Sequence, residues 1–580
     1  MTTAFTEEQK QYLQGFMAGV AQRGAAPYVG MTGDGRITND PAEGGSNQAG
    51  KSPETLHGTP IEDLCKEELI KLDQNPLDIW EKLIAHADQN KFPDASDTFR
   101  FKFHGLFYVA PAQNSFMLRC RIPGCVLTSA QLRGLARIAK DWGGGFADIT
   151  TRGNVQIREI QPKYIVNVLT TLADLGLTSR GSGADNVRNI TASPTSGFDP
   201  NELIDVLPYA RALHYYILNN RDLYGLPRKF NISFDSGGDV SVAADTNDIG
   251  FFAVRVPEGR GIEPGIYFRI ELGGITGHGD FSRDTGYLVR PDECTAVAAA
   301  MLRVFNENGD RTNRKRARLK YLLEAWGIPK FMDATQARLA FPMRRATPDD
   351  FEKRRPIVRH GHLGIHPQTE AGLSYVGVST PVGRVTSSQM TKLADGAEDF
   401  ARGEMRLTVF QNLIIPHVPT ANLDALKKAI AKADLSHEAS NVCGGIVACT
   451  GNTGCKFAAT NTKGQAMAIG RHLEDRVLLD KPINIHLTGC PHSCAQHYVG
   501  DIGLLGVKVN GEEGYNVVVG GGMDHEQGIA RDLFRNVTFP EVPPLLERML
   551  KSYLEKRTGS ESFLEFTRRH DLAKLQEIFS

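Results

Sequence analysis

Hydrophobic and polar residues follow three different patterns along the chain. Residues 1–27 carry apolar positions at a helical period, which predicts one amphipathic helix. Residues 28–60 are rich in Gly, Pro, Ser, Thr and Asn and have no apolar period, so we expect an extended, poorly packed segment. From residue 61 onward, helical and strand patterns alternate to the last residue. This alternation predicts a mixed α/β protein of the α+β class.

One part of this pattern occurs twice, first in a module that we name A and again in its repeat A′. The stretch IPGCVLTSAQL (122–132) matches TPVGRVTSSQM (380–390) at an offset of 258 residues, without a gap. At the same offset, DITTRGNVQI (148–157) matches RLTVFQNLII (406–415). Each copy predicts a strand, a Pro-containing turn, a helix and a second strand.

A second module, B, follows A, and its repeat B′ follows A′. NISFDSGGDVSVAADTNDIGFFAV (231–254) matches NIHLTGCPHSCAQHYVGDIGLLGV (484–507) at an offset of 253 residues. The order A–B–A′–B′ predicts a duplicated two-module unit with pseudo-twofold symmetry. Cys490 aligns with Gly237, so the second half carries cysteines that the first lacks. We therefore expect a single site near the pseudo-twofold axis, to which the first half supplies other residues.

The 580 residues exceed what one hydrophobic core usually spans, so several domains are expected. The repeats predict five segments along the chain. They are an N-terminal helical and extended segment (1–100), A (101–175), B (176–345), A′ (346–435) and B′ (436–580).

The overall composition excludes several classes of protein. Hydrophobic residues make up 41% and charged residues 23%, and the net charge of −1 argues against binding to nucleic acid or anionic membranes. No apolar run approaches the ~20 residues of a membrane helix. The N-terminus resembles neither a secretory signal nor a transit peptide, which predicts a cytoplasmic protein. The basic run RTNRKRARLK (311–320) has no interleaved aromatic residues, so we expect a charged helix face.

Four cysteines in Gly-rich loops are candidate metal ligands. Cys449 and Cys455 lie in ACTGNTGC, and Cys490 and Cys494 lie in LTGCPHSC. Thiolates suit zinc, copper(I) or iron–sulfur clusters, and these spacings differ from the C-x2-C pairs of zinc ribbons. The pattern favours a [4Fe–4S] cluster, with structural zinc and four buried free cysteines as the alternatives. A nearby fifth thiol, Cys443, is expected to be a buried small hydrophobic residue.

The motifs ACTGNTGC, LTGCPHSC and DIGLLG resemble those of the sirohaem- and [4Fe–4S]-containing nitrite and sulfite reductases, over roughly residues 70–575. The resemblance implies ferredoxin-like half-domains for A and A′ and domains of the sirohaem and cluster type for B and B′. It implies that Cys449, Cys455, Cys490 and Cys494 bind the cluster. Cys494 is implied to bridge a cluster iron to the sirohaem iron, with substrate on the open face of the haem.

The resemblance also assigns basic residues of the first half. Sirohaem carries eight carboxylates and the substrate is an anion, and both call for clustered Arg and Lys side chains. The residues implied to hold the anion and deliver protons are Arg119, Arg188 and Lys229. Those implied to bind haem carboxylates are Arg152 and Arg228. A basic run like 311–320 precedes a helix near the cofactor in this family, so some of its arginines are implied to reach sirohaem.

Two positions bear on substrate and cofactor. In the family, a second lysine where this chain has Asn231 goes with sulfite reduction, and asparagine goes with nitrite reduction. A site with one cation fewer suits the singly charged nitrite better than sulfite, which carries about two charges near neutral pH. His492 replaces an asparagine that is common in the family. It has three open roles, which are a hydrogen bond to a haem carboxylate, titration near neutral pH and exposure to solvent.

We therefore expect an assimilatory nitrite reductase that reduces nitrite to ammonia with six electrons. Sulfite reductase on the same cofactors is the alternative, and a zinc-stabilised binding protein without catalysis is an alternative of another class. A precorrin oxygenase shares the cluster motif but is usually shorter. Since no flavin or nicotinamide site stands out, electrons are expected from ferredoxin, with a flavoprotein as the other candidate donor.

Overall fold

The computed structural model describes residues 54–580. The predicted helix at 1–27 and most of the predicted extended segment lie outside the described residues. The described part begins with a small antiparallel pair of strands, β1 (Thr55–Leu56) and β2 (Thr59–Pro60). Three helices follow, which are α1 (Lys66–Asp73), α2 (Trp80–Asp88) and α3 (Ala95–Phe101).

The first half of the chain continues with modules A and B. Module A contains β3 (Leu106–Tyr108), β4 (Phe116–Arg119), β5 (Val126–Thr128), α4 (Ser129–Trp142), β6 (Phe146–Ile149), β7 (Val155–Ile160) and α5 (Ile165–Asp174). Module B contains β8 (Thr191–Ala192), α6 (Leu207–Asn219), β9 (Ile232–Asp235), β10 (Ile249–Val256), β11 (Gly265–Leu272), β12 (Arg283–Val289), α7 (Cys294–Asn308), α8 (Leu319–Gln336) and β13 (Arg344–Arg345).

The second half repeats this order. Module A′ contains β14 (Gly364–Pro367), β15 (Leu373–Val378), β16 (Arg384–Thr386), α9 (Ser387–Phe400), β17 (Glu404–Leu407), β18 (Leu413–Pro419) and α10 (Leu423–Lys432). Module B′ contains β19 (Ile446–Ala448), α11 (Thr462–Glu474), β20 (Ile485–Thr488), β21 (Ile502–Val509), β22 (Glu512–Val519), β23 (Arg531–Thr538), α12 (Val542–Lys556), α13 (Phe563–Arg569) and α14 (Leu572–Phe579).

The duplication expected from the sequence is confirmed. The elements β5, α4 and β6 recur as β16, α9 and β17 at the offset of 258 residues, with the same first and last positions. The two helices even begin alike, because each has a capping box that satisfies N–H groups of its first turn. The Thr128 hydroxyl accepts the N–H of Gln131 at 3.1 Å, and the Thr386 hydroxyl accepts that of Gln389 at 3.2 Å. The mixed α+β class is confirmed as well.

Modules A and A′ exchange a strand with each other. β5 of A pairs with β17 of A′, and β16 of A′ pairs with β6 of A, both in antiparallel fashion. The two sheets therefore have the strand orders β14–β15–β18–β17–β5 and β16–β6–β7–β4–β3. One hydrophobic core is common to both, with Leu127 and Ile157 from A beside Met405 and Ile415 from A′. The two half-domains thus form one intertwined body.

Modules B and B′ each have a sheet that starts with three parallel strands and continues with antiparallel strands. In B, Ile249 of β10 lies opposite Ile232 of β9, and in B′ Ile502 of β21 lies opposite Ile485 of β20. The registers agree with the 253-residue offset. No helix in the described part of the chain is long and apolar enough to cross a bilayer. The five segment boundaries stay predictions.

A buried acidic group lies where B meets B′. Asp245 of B accepts the backbone N–H of Asp524 at 2.7 Å and the side-chain amide of Gln527 at 3.1 Å, both from B′. Its other oxygen, Oδ1, has no hydrogen-bond partner in the described structure. Burial raises the pKa of Asp245 well above its usual range, and the charge of Asp524 raises it further. Asp245 therefore favours its protonated form.

Replacing Asp245 with Asn should stabilise the protein at neutral and alkaline pH. The unfolded chain loses this proton near the ordinary aspartate pKa, whereas the folded chain keeps it, so wild-type stability falls as the pH rises from the unfolded value through the folded one. The side-chain oxygen of asparagine accepts the same two hydrogen bonds, and its amide does not titrate. Thermal midpoints of the two proteins should diverge as the pH rises above about 4, and their free energies of unfolding should differ by on the order of 1 kcal/mol at alkaline pH.

Asp475→Asn is the control for this comparison, because the Asp475 side chain is 79% exposed. Its midpoints should follow those of the wild type at every pH. Equal midpoints for wild type and Asp245→Asn over the whole range would contradict a protonated Asp245.

Candidate functional site

Parallel strands bring the four cysteines together. β19 and β20 are adjacent and parallel, so the loops at their carboxyl ends, 449–461 and 489–501, leave the sheet at the same edge. Burial raises the pKa of Cys490 to about 11, and the negative charges of Cys494, Cys455 and Cys449 contribute to that rise. The four thiols therefore lie within electrostatic reach of one another.

Glycine allows the two cysteine loops to pack against each other. The backbone N–H of Gly489 points to the sulfur of Cys449 at 3.3 Å. A methyl group on Gly489 would lie 2.6 Å from Cβ of Ala458 in the first loop. The Thr462 hydroxyl donates to the carbonyl oxygen of Cys449 at 2.6 Å and holds the loop against the start of α11. Such backbone donors next to thiolates are typical of iron–sulfur sites.

The four thiols of these loops can be compared with the ligands of a zinc ion and of an iron–sulfur cluster. Within the described residues, no three His, Cys, Asp or Glu side chains converge so as to hold one metal ion. A structural zinc site places all its ligands at about 2.0–2.3 Å from a single ion. Thiolates that surround an iron–sulfur cluster are farther apart, since each binds a different iron. The donor set of four thiols suits an iron–sulfur cluster.

Across from the cysteines, the first half contributes two adjacent guanidinium groups. The carbonyl oxygen of Ser182 accepts from Arg119 at 3.5 Å and from Arg188 at 2.5 Å. Burial lowers the pKa of Arg119 to about 10. Burial and the charges of Arg119 and Arg228 lower the pKa of Arg188 well below its usual range. Like charges held this close create a strong local preference for an anion.

Lys229 belongs to the same group of cations. Among the described residues, neither an ion pair nor a hydrogen bond satisfies its amine. Burial and the charges of Arg318, Arg188 and Arg228 lower its pKa to about 7, while the charge of Cys494 acts in the opposite direction. Lys229 therefore takes up and releases a proton near neutral pH.

Asn231 lies beside Lys229 on the same side of the chain. Phe230 between them is fully buried, and side chains alternate along an extended segment, so the two partly buried residues face together. The backbone N–H of Asn231 donates to Asp248 at 2.8 Å. Asp248 also accepts two hydrogen bonds from Arg318, at 2.7 and 3.2 Å. This ion pair holds the strand that carries Lys229 and Asn231.

The pseudo-twofold counterpart of this corner lies in B′ and is closed. The backbone N–H of Asn484 donates to Asp501 at 2.7 Å, as at the corresponding position of B. Arg359 pairs with Asp501 and with Glu526, both at 2.8 Å. The adjoining cavity has a volume of about 40 Å³, which suits a few water molecules. Module B′ therefore keeps the backbone arrangement of the corner in B, but the ion pairs of Arg359 close it.

The expectation of a charged helix face at 311–320 is wrong. Arg311 is 3% exposed and pairs with Glu68 at 2.6 Å. Arg314 makes two hydrogen bonds to Asp185, at 2.7 and 2.8 Å. These partners lie far away in the sequence, so Arg311 and Arg314 form internal ion pairs that brace the cationic side of the site, whereas Lys315 and Arg316 are exposed.

The two arginines expected to bind haem carboxylates have different surroundings. Arg152 donates to the side-chain oxygen of Asn247 and to the carbonyls of Asn189 at 2.6 Å and Ile232 at 3.0 Å. Burial lowers its pKa to about 10. The side chain of Arg228 is 31% exposed and makes a long ion pair of 3.7 Å. Arg228 thus has free N–H donors, whereas those of Arg152 form hydrogen bonds between module A and module B.

His492 contacts the cysteine loops. Its Nδ1 atom is 3.4 Å from the sulfur of Cys490. Its ring meets Phe457 edge-on, with centroids 5.2 Å apart. Burial lowers the pKa of His492, and the charges of Lys229 and Arg228 lower it further. The histidine therefore lies between the cysteines and the cations, and its predicted contact with a haem carboxylate stays a prediction.

Several supporting residues were missed by sequence reasoning. The Thr151 hydroxyl donates to the carbonyl of Cys494 at 3.0 Å. The Gln411 side chain exchanges two hydrogen bonds with the backbone of Ala448, both at 2.9 Å. Lys102 faces the cations, because burial and the charges of Lys456, Arg188 and Arg314 lower its pKa. No local motif marks these residues, since each acts across a module boundary.

Comparison with known proteins agrees with this arrangement. The family described as "Nitrite and sulphite reductase 4Fe-4S domain" matches residues 183–343 and 440–579. The family described as "Nitrite/Sulfite reductase ferredoxin-like half domain" matches residues 110–175 and 366–433. Together these matches cover more than half of the chain.

Individual relatives extend the similarity over most of the chain. A ferredoxin--nitrite reductase of Synechococcus elongatus is 34% identical over 505 residues, which cover 84% of this chain and 96% of the relative. A chloroplastic ferredoxin--nitrite reductase of Zea mays is 33% identical over 84% of this chain and 89% of its own length. The solved structure of the Mycobacterium tuberculosis NirA protein has a TM-score of 0.81 at 28% identity, over 88% of this chain and 97% of that one.

Replacing Gly489 with Ala should reduce the iron and acid-labile sulfide bound per chain by more than about half, because overpacking at this point separates the loops. The added methyl would lie 2.6 Å from Ala458 and cannot move without shifting the backbone. Gly396→Ala in α9 is the control, since its methyl would meet neighbours at an ordinary 3.4 Å. Full iron content in Gly489→Ala would contradict the close packing of the cysteine loops.

Proposed function

Because the chain belongs to the nitrite and sulfite reductase family, we infer that it is an enzyme that reduces nitrite to ammonia with six electrons. The observation that carries this function is the unpaired Lys229 with the neutral Asn231 beside it, facing Arg119 and Arg188. Three cations and one neutral amide suit a small anion of single charge. The cysteine loops across from them supply the place for a [4Fe–4S] cluster.

Sirohaem is the second proposed cofactor. When bound, sirohaem supplies the iron at which nitrite is reduced. Arg228 and Lys102 are the residues of this chain that would hold its carboxylates. Arg228 keeps free donors and acts electrostatically on His492 of the second cysteine loop, and Lys102 faces Lys456 of the first. Cys494 is exposed toward this side and is the proposed shared ligand. Cys449, Cys455 and Cys490 complete the proposed ligand set.

The basic residues have separate tasks in the proposed reaction. Arg119 and Arg188 bind the nitrite oxygens and stabilise the negative charge that develops on them as the N–O bonds break. With its pKa of about 7, Lys229 is present in both protonation states at neutral pH and delivers protons to those oxygens. Asn231 offers a hydrogen bond without adding charge. These basic side chains are partly buried, so solvent screens their contacts with an anion less than it would at an open surface.

Ferredoxin is the proposed electron donor. The support for it is that relatives such as those of Synechococcus elongatus, Zea mays and Haloferax mediterranei, 31–34% identical, are named for this donor. A flavoprotein remains the other candidate. The cytoplasmic location expected from the sequence stays a prediction, since several relatives are named chloroplastic.

Nitrite binding should weaken as the pH rises through the pKa of Lys229. That pKa is about 7 in the free site, and a bound anion will raise it, because the anion favours the charged amine. Lys229→Met should lose about tenfold in affinity at acidic pH and little at alkaline pH, which flattens the profile. Visible absorption of the loaded enzyme, titrated with nitrite at several pH values, measures this. Lys428 is exposed on α10, so Lys428→Met should keep the wild-type dependence of nitrite affinity on pH. A steep dependence on pH in Lys229→Met would contradict the role of this amine.

Asn231→Lys should move the substrate preference toward sulfite. Wild-type enzyme, driven by a chemical reductant, should show a higher kcat/KM for nitrite than for sulfite. The added positive charge favours the dianion, so the ratio of the two values should fall by about tenfold. Asn231→Gln adds no charge and should keep the preference for nitrite. A wild type that prefers sulfite, or an Asn231→Lys enzyme with an unchanged ratio, would count against nitrite as the substrate.

A further inference from the structure

Three cations share one buried carboxylate next to the cysteine loops. Asp148 on β6 is 3% exposed. It contacts Arg158 at 3.1 Å, Arg384 at 2.9 and 3.1 Å, and Lys463 at 3.7 Å. The side chains of Arg158 and Lys463 are 4% and 7% exposed. One negative charge thus faces three positive charges, and the excess positive charge lies where water screens it little.

Arg158 links this group directly to the first cysteine loop. Its Nη2 atom donates to the hydroxyl of Thr450 at 2.6 Å. Its Nη1 atom donates to the carbonyl of Gly454 at 3.3 Å, one residue before Cys455. Burial lowers the pKa of Arg158, and the charge of Cys455 acts against this. The guanidinium therefore lies against the loop that carries two of the four thiols.

Lys463 lies in the first turn of α11, which directly follows the same loop. Its amine donates to the carbonyl of Val382 in A′. The side chain of Asn461 caps the helix by accepting the N–H of Gly464 at 3.2 Å, so the positive end of the helix dipole points toward Cys449. Burial lowers the pKa of Lys463, and the charge of Cys449 acts against this. The amine and the helix end contribute positive potential on the Cys449 side.

We propose that Asp148, Arg158 and Lys463 set the reduction potential of the [4Fe–4S] cluster held by the adjacent loops. Reduction adds one electron from the donor protein to the cluster and breaks no bond, so its energy depends on the surrounding charge. Buried positive charge favours the reduced, more negative form and raises the potential. Arg158 and Lys463 are positioning residues, which act on the cluster through the electric field of their positive charges. The inference rests on the proposed function only for the presence of the cluster.

Two substitutions in this network should shift the potential in opposite directions. Lys463→Met removes a positive charge and should lower the midpoint potential of the cluster. Asp148→Asn removes the negative charge and should raise it. The potential is measured on the cofactor-loaded enzyme by redox titration, followed by the electron paramagnetic resonance signal of the reduced cluster. Loosening of the fold does not predict shifts of opposite sign from neighbouring residues.

Two further variants complete the design. Arg384 contacts the same carboxylate, and its side chain is 37% exposed. Arg384→Met should therefore lower the potential by a smaller amount. Because the site is partly exposed, this variant does not require a new side chain to pack in the core. Lys428→Met makes the same change of charge on the exposed face of α10, where solvent screens it, and should leave the potential unchanged.

The outcomes separate this inference from the proposed function. Shifts of the same sign in Lys463→Met and Asp148→Asn, or potentials equal to wild type in both, would overturn the inference. If the buried variants bind no cluster, an unshifted potential in Arg384→Met overturns it, and a downward shift supports it. A wild type without the resonance signal of a reduced cluster would overturn the proposed function itself.

Discussion

The structure depends on the exchange of β5 and β16 between the two half-domains. Each exchanged strand is hydrogen-bonded in the other module's sheet, and one hydrophobic core fills the space between the sheets. Separating the halves would expose strand edges and core residues together, which makes separation costly. Thr151 of A contacts the second cysteine loop, and Gln411 of A′ contacts the end of β19, just before Cys449. The exchange therefore fixes the position of B′ relative to the cations of B.

On both sides of the site, basic side chains outnumber the buried carboxylates that they contact. Asp185 has Lys71, Arg228 and Arg314 around it, and Asp148 has three cations of its own. Buried cations without enough counter-charge destabilise an empty protein. The proposed cofactors and an anionic substrate would supply the missing negative charge, which would couple loading of the site to the stability of the surrounding fold.

Much of the fold could be predicted because the repeats run without gaps, so that α4 and α9 begin and end at matching positions. The spacing of the four cysteines in Gly-rich loops also made them candidate ligands, and the structure places both loops at one edge of the sheet. The sequence could not identify partners that lie far apart in the chain. Arg311 pairs with Glu68 across 243 residues, and Arg158 reaches Thr450 across 292. The strand exchange and the pKa of Lys229 escaped prediction for the same reason, because both depend on segments that only the fold brings together.

The closed corner of B′ has a kinetic consequence. With Arg359 neutralised by Asp501 and Glu526, an anion is left with the corner in B as its place of reaction. In the proposed reaction, electrons from a one-electron donor arrive at that place in succession, with a pause between one encounter and the next. Partly reduced nitrogen species have to outlast those pauses. Under this proposal, retention of these species by Arg119 and Arg188 determines whether ammonia alone leaves the protein.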